Sequence, residues 1–399
     1  MSLRKFKHAF TLFLMKSLAG LGGSPAYMAY TGSGSAAELC RHITRTGVRK
    51  LLLVTDKPLR DLGIVDQATA ALADTGVEIV IFDGVEPNPT YDQVAAGRKL
   101  MVEHGCEAVL AIGGGSSIDA AKIIAASASS DEDPKTWVGF GKVKHEVPKL
   151  YAIPTTSGTG SEATMGAVIS DSESREKGVI SGSSLLPAAV ALDSDLMLGM
   201  PAPITAATGI DALTHAIEAY ICVWDRGTRK EHAAMATRLI FRHLRDAVAD
   251  GGNREARDAM AMAAYYAGIA INQVNVGNVH AIAHQIGGKY GIPHGLANAL
   301  VLPHVLEFCR AESGQALAEL ALLAEAGSAG EPTDVLAGKF IAAVVQLRAD
   351  VGLPETSDKI RAEDYDYLAG LAYKECEGYP VPKLLERDAI LDILRKITA

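Results

Sequence analysis

The sequence predicts an α/β dinucleotide-binding domain built on a parallel sheet over residues 1–198, followed by an all-α domain over residues 199–399. Three observations carry that reading. At 399 residues the chain exceeds what one ordinary core organises, so two domains are expected. Up to about residue 198, short apolar runs alternate with amphipathic stretches, the pattern of parallel strands joined by crossover helices. After Gly199-Met200-Pro201 the alternation stops, and Ala-rich amphipathic stretches follow one another with no strand among them.

Taken in order, residues 26–30 read as a first strand closed by Thr31-Gly-Ser-Gly34, and residues 36–46 as a helix stopped by Gly47. Lys50-Leu-Leu-Leu-Val-Thr-Asp56 is apolar on both faces, as a strand covered from both sides requires. A helix over 65–75 ends at Gly76, and residues 78–83 form the next strand. Helix 91–104, strand 108–112 and helix 116–126 follow, and strands 151–154 and 188–193 complete the sheet. The second half predicts helices over 205–223, 230–250, 255–272, 277–288, 295–309, 313–326, 331–350, 363–374 and 386–397.

Composition limits the function classes. With 48% hydrophobic and 21% charged residues the chain is globular rather than disordered. A net charge of −9 and the lack of any dense Lys/Arg run argue against a nucleic-acid surface. The five cysteines are scattered and never stand at CxxC spacing, which suits a reducing, cytoplasmic compartment and excludes a cysteine zinc site. No apolar run is long enough to span a bilayer. Near the start, Ala9–Met15 follows three basic residues as a leader peptide would, but Lys16 interrupts it and no small-residue cleavage site follows. An amphipathic N-terminal helix is expected instead.

The chemistry concentrates between Val279 and Gly295. His280 and His284 are four apart, so on a helix their rings share a face; glycines and Pro293 then break the helix before His294. Earlier, Asp211 and His215 form a second pair at the same spacing. A single histidine pair is most often surface or satisfied core. Two such pairs among Ala, Ile and Val are better explained by a divalent metal, because an unpaired imidazole is costly to bury there. Spacing alone offers Asp211, His215, His280 and His284 as a four-ligand set with no thiolate.

In the first half, Gly113-Gly114-Gly115-Ser116-Ser117-Ile118-Asp119-Ala-Ala-Lys122 follows a strand and opens a helix. There the backbone can approach a pyrophosphate, and the helix start offers unpaired N–H groups. It is neither a P-loop nor GxGxxG, since Ile118 takes the third glycine position. Asp56 ends a strand where a carboxylate can bind a ribose 2′-hydroxyl, although strand-end turn aspartates are common. Pro154-Thr155-Thr156-Ser157-Gly158-Thr159-Gly160-Ser161-Glu162-Ala163-Thr164 packs hydroxyls into a loop able to bind phosphate, adenine or carboxamide.

These blocks, with Asp211-Ala-Leu-Thr-His-Ala-Ile-Glu-Ala-Tyr220 and the His280–Gly295 stretch, resemble the iron-containing alcohol dehydrogenase family in order and separation. The resemblance implies a dehydroquinate synthase-like architecture with the active site between the domains, and hydride transfer between an alcohol and NAD. It replaces His284 by His294 as the fourth metal ligand beside Asp211, His215 and His280, and makes His284 a substrate or proton-relay residue. By the same resemblance Gly114, Gly115 and Ser116 would meet the pyrophosphate, and Asp119 would be cofactor-binding. Thr155, Thr156, Thr159 and Thr164 would line the nucleotide with Asn88 and Lys177 close by, and Asp56 would favour NAD. Fe(II) is the expected metal, with Zn(II) fitting the same donors. The partners implied are a small alcohol or aldehyde and further copies of the chain, as a homodimer or larger. A zinc-dependent glycerol or polyol dehydrogenase and a hydroxyacid–oxoacid transhydrogenase are the competing activities. Where the family often shows Asn-Pro-Arg, this chain has Val381-Pro382-Lys383.

Overall fold

A computed structural model describes residues 4, 7–8, 10–12 and 28–399, apart from Arg175 and Arg226. Among the described residues nine strands fall in two sheets: β1 Ala29–Thr31, β2 Lys50–Val54, β3 Glu78–Phe82, β4 Ala108–Gly113, β5 Gly139–Phe140, β6 Lys149–Pro154, β7 Gly166–Ser170, β8 Lys177–Ser181 and β9 Ala189–Leu192. Six form one parallel sheet in the order β1-β9-β6-β4-β2-β3. Its central strands β2, β4 and β6 are buried nearly throughout, which is why they read as unbroken apolar runs. The Ser35–Arg45 helix covers the sheet with Ala36, Leu39, Cys40 and Ile43, one helical face. The Tyr91–Glu103 helix starts in a capping box of Thr90 and Gln93. It packs closely on the Gly115–Ala128 helix, since a Cβ on Gly97 would lie 2.3 Å from Ile124.

The small sheet β5-β8-β7 has no counterpart in the sequence reading. β7 and β8 pair antiparallel, but Gly166, Gly178 and the exposed Val179 give them no apolar alternation to read. The short Lys57–Asp61 helix was likewise unforeseen; the Asp56 carboxylate caps it by accepting the Leu59 N–H at 2.9 Å. The expected 65–75 helix is an α-helix over Ile64–Thr69 and a 3-10 turn over Ala70–Leu72. The first strand begins at Ala29; residues 26 and 27 lie outside the described residues. So does most of the expected N-terminal helix, although Phe10–Leu12 are helical.

After β9 no further strand occurs among the described residues, as expected. Two expected helices prove to be one, His294–Leu323, running through Pro303. Nothing in Arg310-Ala311-Glu312 stops a helix, and Leu302, Leu306, Cys309, Ser313, Leu317 and Leu320 form one continuous buried stripe. The chain divides into two compact units at Met200/Pro201, except that the described residues among 4–12 belong with the helical unit and Gly251–Gly268 with the sheet unit. Within that unit the Gly160 loop lies against Gly268, where a Cβ on Gly160 would be 2.6 Å from the Gly268 Cα. Arg257 donates to the Gly251 and Met200 carbonyls at 3.0 Å each.

A buried cation holds the Ser/Thr loop of the sheet unit in place. Lys122 Nζ donates to the Ser161 carbonyl (2.8 Å) and hydroxyl (3.0 Å), the Thr164 hydroxyl (3.2 Å) and the Gly166 carbonyl (2.6 Å). Burial pushes its pKa down to about 8, against the pull of Asp119. Lys122→Met should destabilise the protein by about 3 kcal/mol or more, because the loop's buried acceptors lose their donor. A urea titration followed by circular dichroism measures that difference.

Candidate metal centre and nucleotide loop

The Ala202–Ile221 helix carries Asp211 and His215 one turn apart, and the Asn278–Tyr290 helix carries His280 and His284. That second helix ends at Gly291 in the left-handed conformation, and Pro293 starts the next one with His294 as its first residue. Gly295 then sits so close to the Ala202–Ile221 helix that a Cβ would fall 2.1 Å from the Ala207 carbonyl. Only glycine allows that approach, which delivers His294 to Asp211.

Asp211, His215, His280 and His294 each offer a ligand atom, all within 4.8 Å of one another. Asp211 Oδ1 lies 3.4 Å from His294 Nε2 and 4.0 Å from His280 Nε2. The rings of His215 and His280 are stacked at 4.7 Å, and those of His280 and His294 lie 5.2 Å apart. Asp211, His215 and His280 are buried, while a third of the His294 side chain is exposed, so the cluster opens on that side. His284 flanks it, its ring stacked on His294 at 5.4 Å. The structure thus assembles the set with His294 and leaves His284 alongside.

The cluster is rich in acceptors and poor in donors. Asn298 Nδ2 faces Asp211 Oδ1 at 2.7 Å and the Nε2 atoms of His280 and His294 at 3.3 Å each, so one amide with two hydrogens meets three acceptors. His215 Nδ1 is buried with no hydrogen-bond partner. Burial holds His280 well below the ordinary imidazole pKa, so it stays neutral and presents a lone pair. Burial pushes the Asp211 carboxyl up, but its neighbours, the Asn298 amide among them, outweigh it and hold it below the ordinary carboxylate value. One carboxylate and three imidazoles converging at these separations match a divalent metal with N/O ligation.

Residues the sequence reading passed over complete the centre. Glu218 lies one turn beyond His215 and is buried; it accepts from the Gly277 N–H (2.7 Å), the Val279 N–H (2.6 Å) and His280 Nδ1 (2.6 Å). Fixing Nδ1 in this way turns Nε2 toward Asp211. Its only sequence signal was a carboxylate on the face of the Asp211/His215 pair. Glu375 receives His284 Nδ1 at 2.6 Å, and Asn298 could not be singled out at all. Lys383, at the departure from Asn-Pro-Arg, donates to the Phe308 carbonyl at 3.0 Å and lies 3.3 Å from Glu312.

In the sheet unit the structure brings some of the predicted nucleotide residues into contact. The Gly115–Ala128 helix begins after Gly114 without any side-chain cap, leaving its first N–H groups for an anion. A Cβ on Gly115 would lie 2.7 Å from the Thr159 hydroxyl, so the Gly114-Gly115-Ser116 turn and the Thr155–Thr159 loop touch; the Thr155 N–H donates to Gly113 at 3.0 Å. Asn88, at φ 59°, accepts from Lys177 Nζ at 2.8 Å, bringing that pair together. Asp119 and Thr164 are also tied into the loop's own hydrogen bonding: Asp119 accepts from the Ser161 hydroxyl and the Val168 N–H, and Thr164 accepts from Lys122.

The profile of the iron-containing alcohol dehydrogenase family matches residues 27–194, and that of the Fe-containing alcohol dehydrogenase family's C-terminal part matches residues 205–398. A 1,3-propanediol dehydrogenase from Citrobacter freundii is 39% identical over 354 residues, covering 88% of this chain and 92% of that protein. A lactaldehyde reductase from Escherichia coli K12 is 36% identical over 355 residues, with the same 88% and 92% coverage. A crystal structure of a 1,3-propanediol oxidoreductase matches with a TM-score of 0.90 and 38% identity, over 94% of this chain and 99% of that one. The chain therefore belongs to the iron-containing alcohol dehydrogenase family, metal- and NAD-dependent oxidoreductases acting on CH–OH groups.

Proposed function

We propose that the protein interconverts small primary alcohols or diols with their aldehydes, using NAD and an Fe(II) held by Asp211, His215, His280 and His294. The observation that carries this is the convergence of those four ligand atoms within 4.8 Å in a donor-poor pocket. The names of the relatives, which act on 1,3-propanediol and lactaldehyde, support a short substrate. Binding strength alone favours zinc in such a site, so the iron assignment rests on the family. A homodimer or larger assembly in a reducing, cytoplasmic setting accords with the family and with the scattered cysteines. No helix among the described residues is long and apolar enough to cross a membrane.

When bound, the metal supplies Lewis-acid character that lowers the alcohol's pKa by roughly eight or nine units, on the order of 12 kcal/mol. The chain's own groups do the rest. Glu218 and Asn298 keep the imidazoles and Asp211 aimed at one point, so little reorganisation accompanies binding. His284, beside the cluster and 23% exposed, takes up the hydroxyl proton and passes it to water. The uncapped helix start at Gly114, Gly115 and Ser116 holds the pyrophosphate of NAD, lined by Thr155, Thr156 and Thr159, with Asn88 and Lys177 beside it. Asp56 uses one oxygen on its cap and keeps the other for a ribose hydroxyl, which disfavours a 2′-phosphate.

His294→Ala or His215→Ala should abolish both stoichiometric metal and turnover, as elemental analysis of anaerobically purified protein would show; full metal with wild-type turnover would refute the ligand set. Glu218→Gln should weaken metal binding roughly 10- to 100-fold while leaving the fold intact, measured by competition with a chelator. On a panel of ethanol, butanol, 1,2-propanediol, 1,3-propanediol and glycerol, NADH should form with simple alcohols or diols. A zinc enzyme active only on glycerol, or metal without net NADH from any alcohol, would overturn the reading in favour of a polyol dehydrogenase or a transhydrogenase.

A further inference from the structure

His284, like His280 with Glu218, points its Nδ1 at a carboxylate outside the metal-ligand set. Glu375 accepts that nitrogen at 2.6 Å through Oε1, and the same oxygen accepts the Tyr379 hydroxyl while Oε2 accepts the Gln285 amide. Three donors converge on one carboxylate that is only a quarter exposed, which is a built socket and not a chance surface pair. The segment bearing it is held from behind. The Arg4 guanidinium lies 3.3 Å over the Tyr373 ring and donates to the Tyr373 and Leu385 carbonyls, and His8 Nε2 lies 3.0 Å from the Tyr379 carbonyl.

We propose that Glu375 is a positioning residue for the reaction: it fixes His284 in the tautomer with hydrogen on Nδ1, so that Nε2 presents the lone pair that accepts the substrate proton. The inference rests on the proton-relay reading of His284. An ionised carboxylate only accepts, so the imidazole nitrogen facing it must carry the hydrogen. In the oxidation direction Nε2 would take up the alcohol's hydroxyl proton, and NAD, when bound, would supply the hydride acceptor. The 2.6 Å contact with the Glu375 carboxylate holds the His284 ring in that tautomer and orientation. Tyr379 and Gln285 occupy two more of the carboxylate's acceptor sites, which keeps it from swinging away.

The test uses metal-replete enzyme with 1,3-propanediol as the probe substrate. Glu375→Gln can turn its amide N–H toward Nδ1 and so favour the wrong tautomer. The expected result is a kcat lower by roughly 10- to 100-fold, with KM and metal content near wild type. Glu375→Asp, which still accepts from a shorter stem, should restore part of the loss. Ring 15N shifts of labelled histidine in the zinc-loaded protein should show His284 moving from the Nδ1–H to the Nε2–H form in the glutamine variant. Combined with His284→Ala, Glu375→Gln should add no further loss, because two residues acting as one unit are not additive. A slow His284→Ala enzyme beside an unimpaired Glu375→Gln enzyme, or additive losses, would overturn the role of Glu375 alone. Wild-type turnover in His284→Ala would overturn the relay itself. Should Glu375→Gln shed its metal, Tyr379→Phe carries the test: a smaller kcat loss at full metal content is expected, and no loss refutes the socket.

Discussion

The helical unit depends on a surplus of hydrogen-bond acceptors at one point. Asp211, His280 and His294 turn acceptor atoms toward a single amide group, and His215 leaves a nitrogen buried with no partner. Such an arrangement costs several kcal/mol in an apolar interior unless something positively charged satisfies it. The surrounding chain is arranged to sustain it. Gly295 brings two helices together, Glu218 anchors His280 through three hydrogen bonds, and Gly291 with Pro293 reverses the chain so that His294 faces His280.

The sheet unit solves a related problem with the opposite sign. Its Ser/Thr loop turns carbonyls and hydroxyls inward, and a lysine with no exposed side-chain area supplies the missing donors. That inner scaffold leaves the outer side of the loop and the uncapped helix start beside Gly114 for an anionic ligand. Asp119 and Thr164 take part in this scaffold through hydrogen bonds to Ser161 and Val168.

Much of this was legible in the sequence, for identifiable reasons. The parallel sheet announced itself because β2, β4 and β6 are buried on both faces and therefore uninterrupted. The metal pairs were legible because helical spacing fixes which side chains share a face. What spacing could not decide was whether His284 or His294 completed the set, since that depends on how closely two helices approach at Gly295. The β7–β8 hairpin was hidden by its glycines and its exposed face. Glu218, Glu375 and Asn298 were hidden for another reason: their roles arise from contacts between distant segments, 62 residues apart for Glu218 and His280 and 91 for His284 and Glu375, and no local pattern encodes such a contact.

The central claim is that four named side chains, and no thiolate, hold one divalent metal. X-ray absorption at the metal edge of anaerobically purified enzyme tests it most directly. The account predicts a shell of nitrogen and oxygen neighbours at about 2.0–2.2 Å with the imidazole signature and no sulfur. That signature should be lost in His294→Ala and unchanged in His284→Ala. A sulfur neighbour, or a shell that loses an imidazole in His284→Ala and none in His294→Ala, would contradict it.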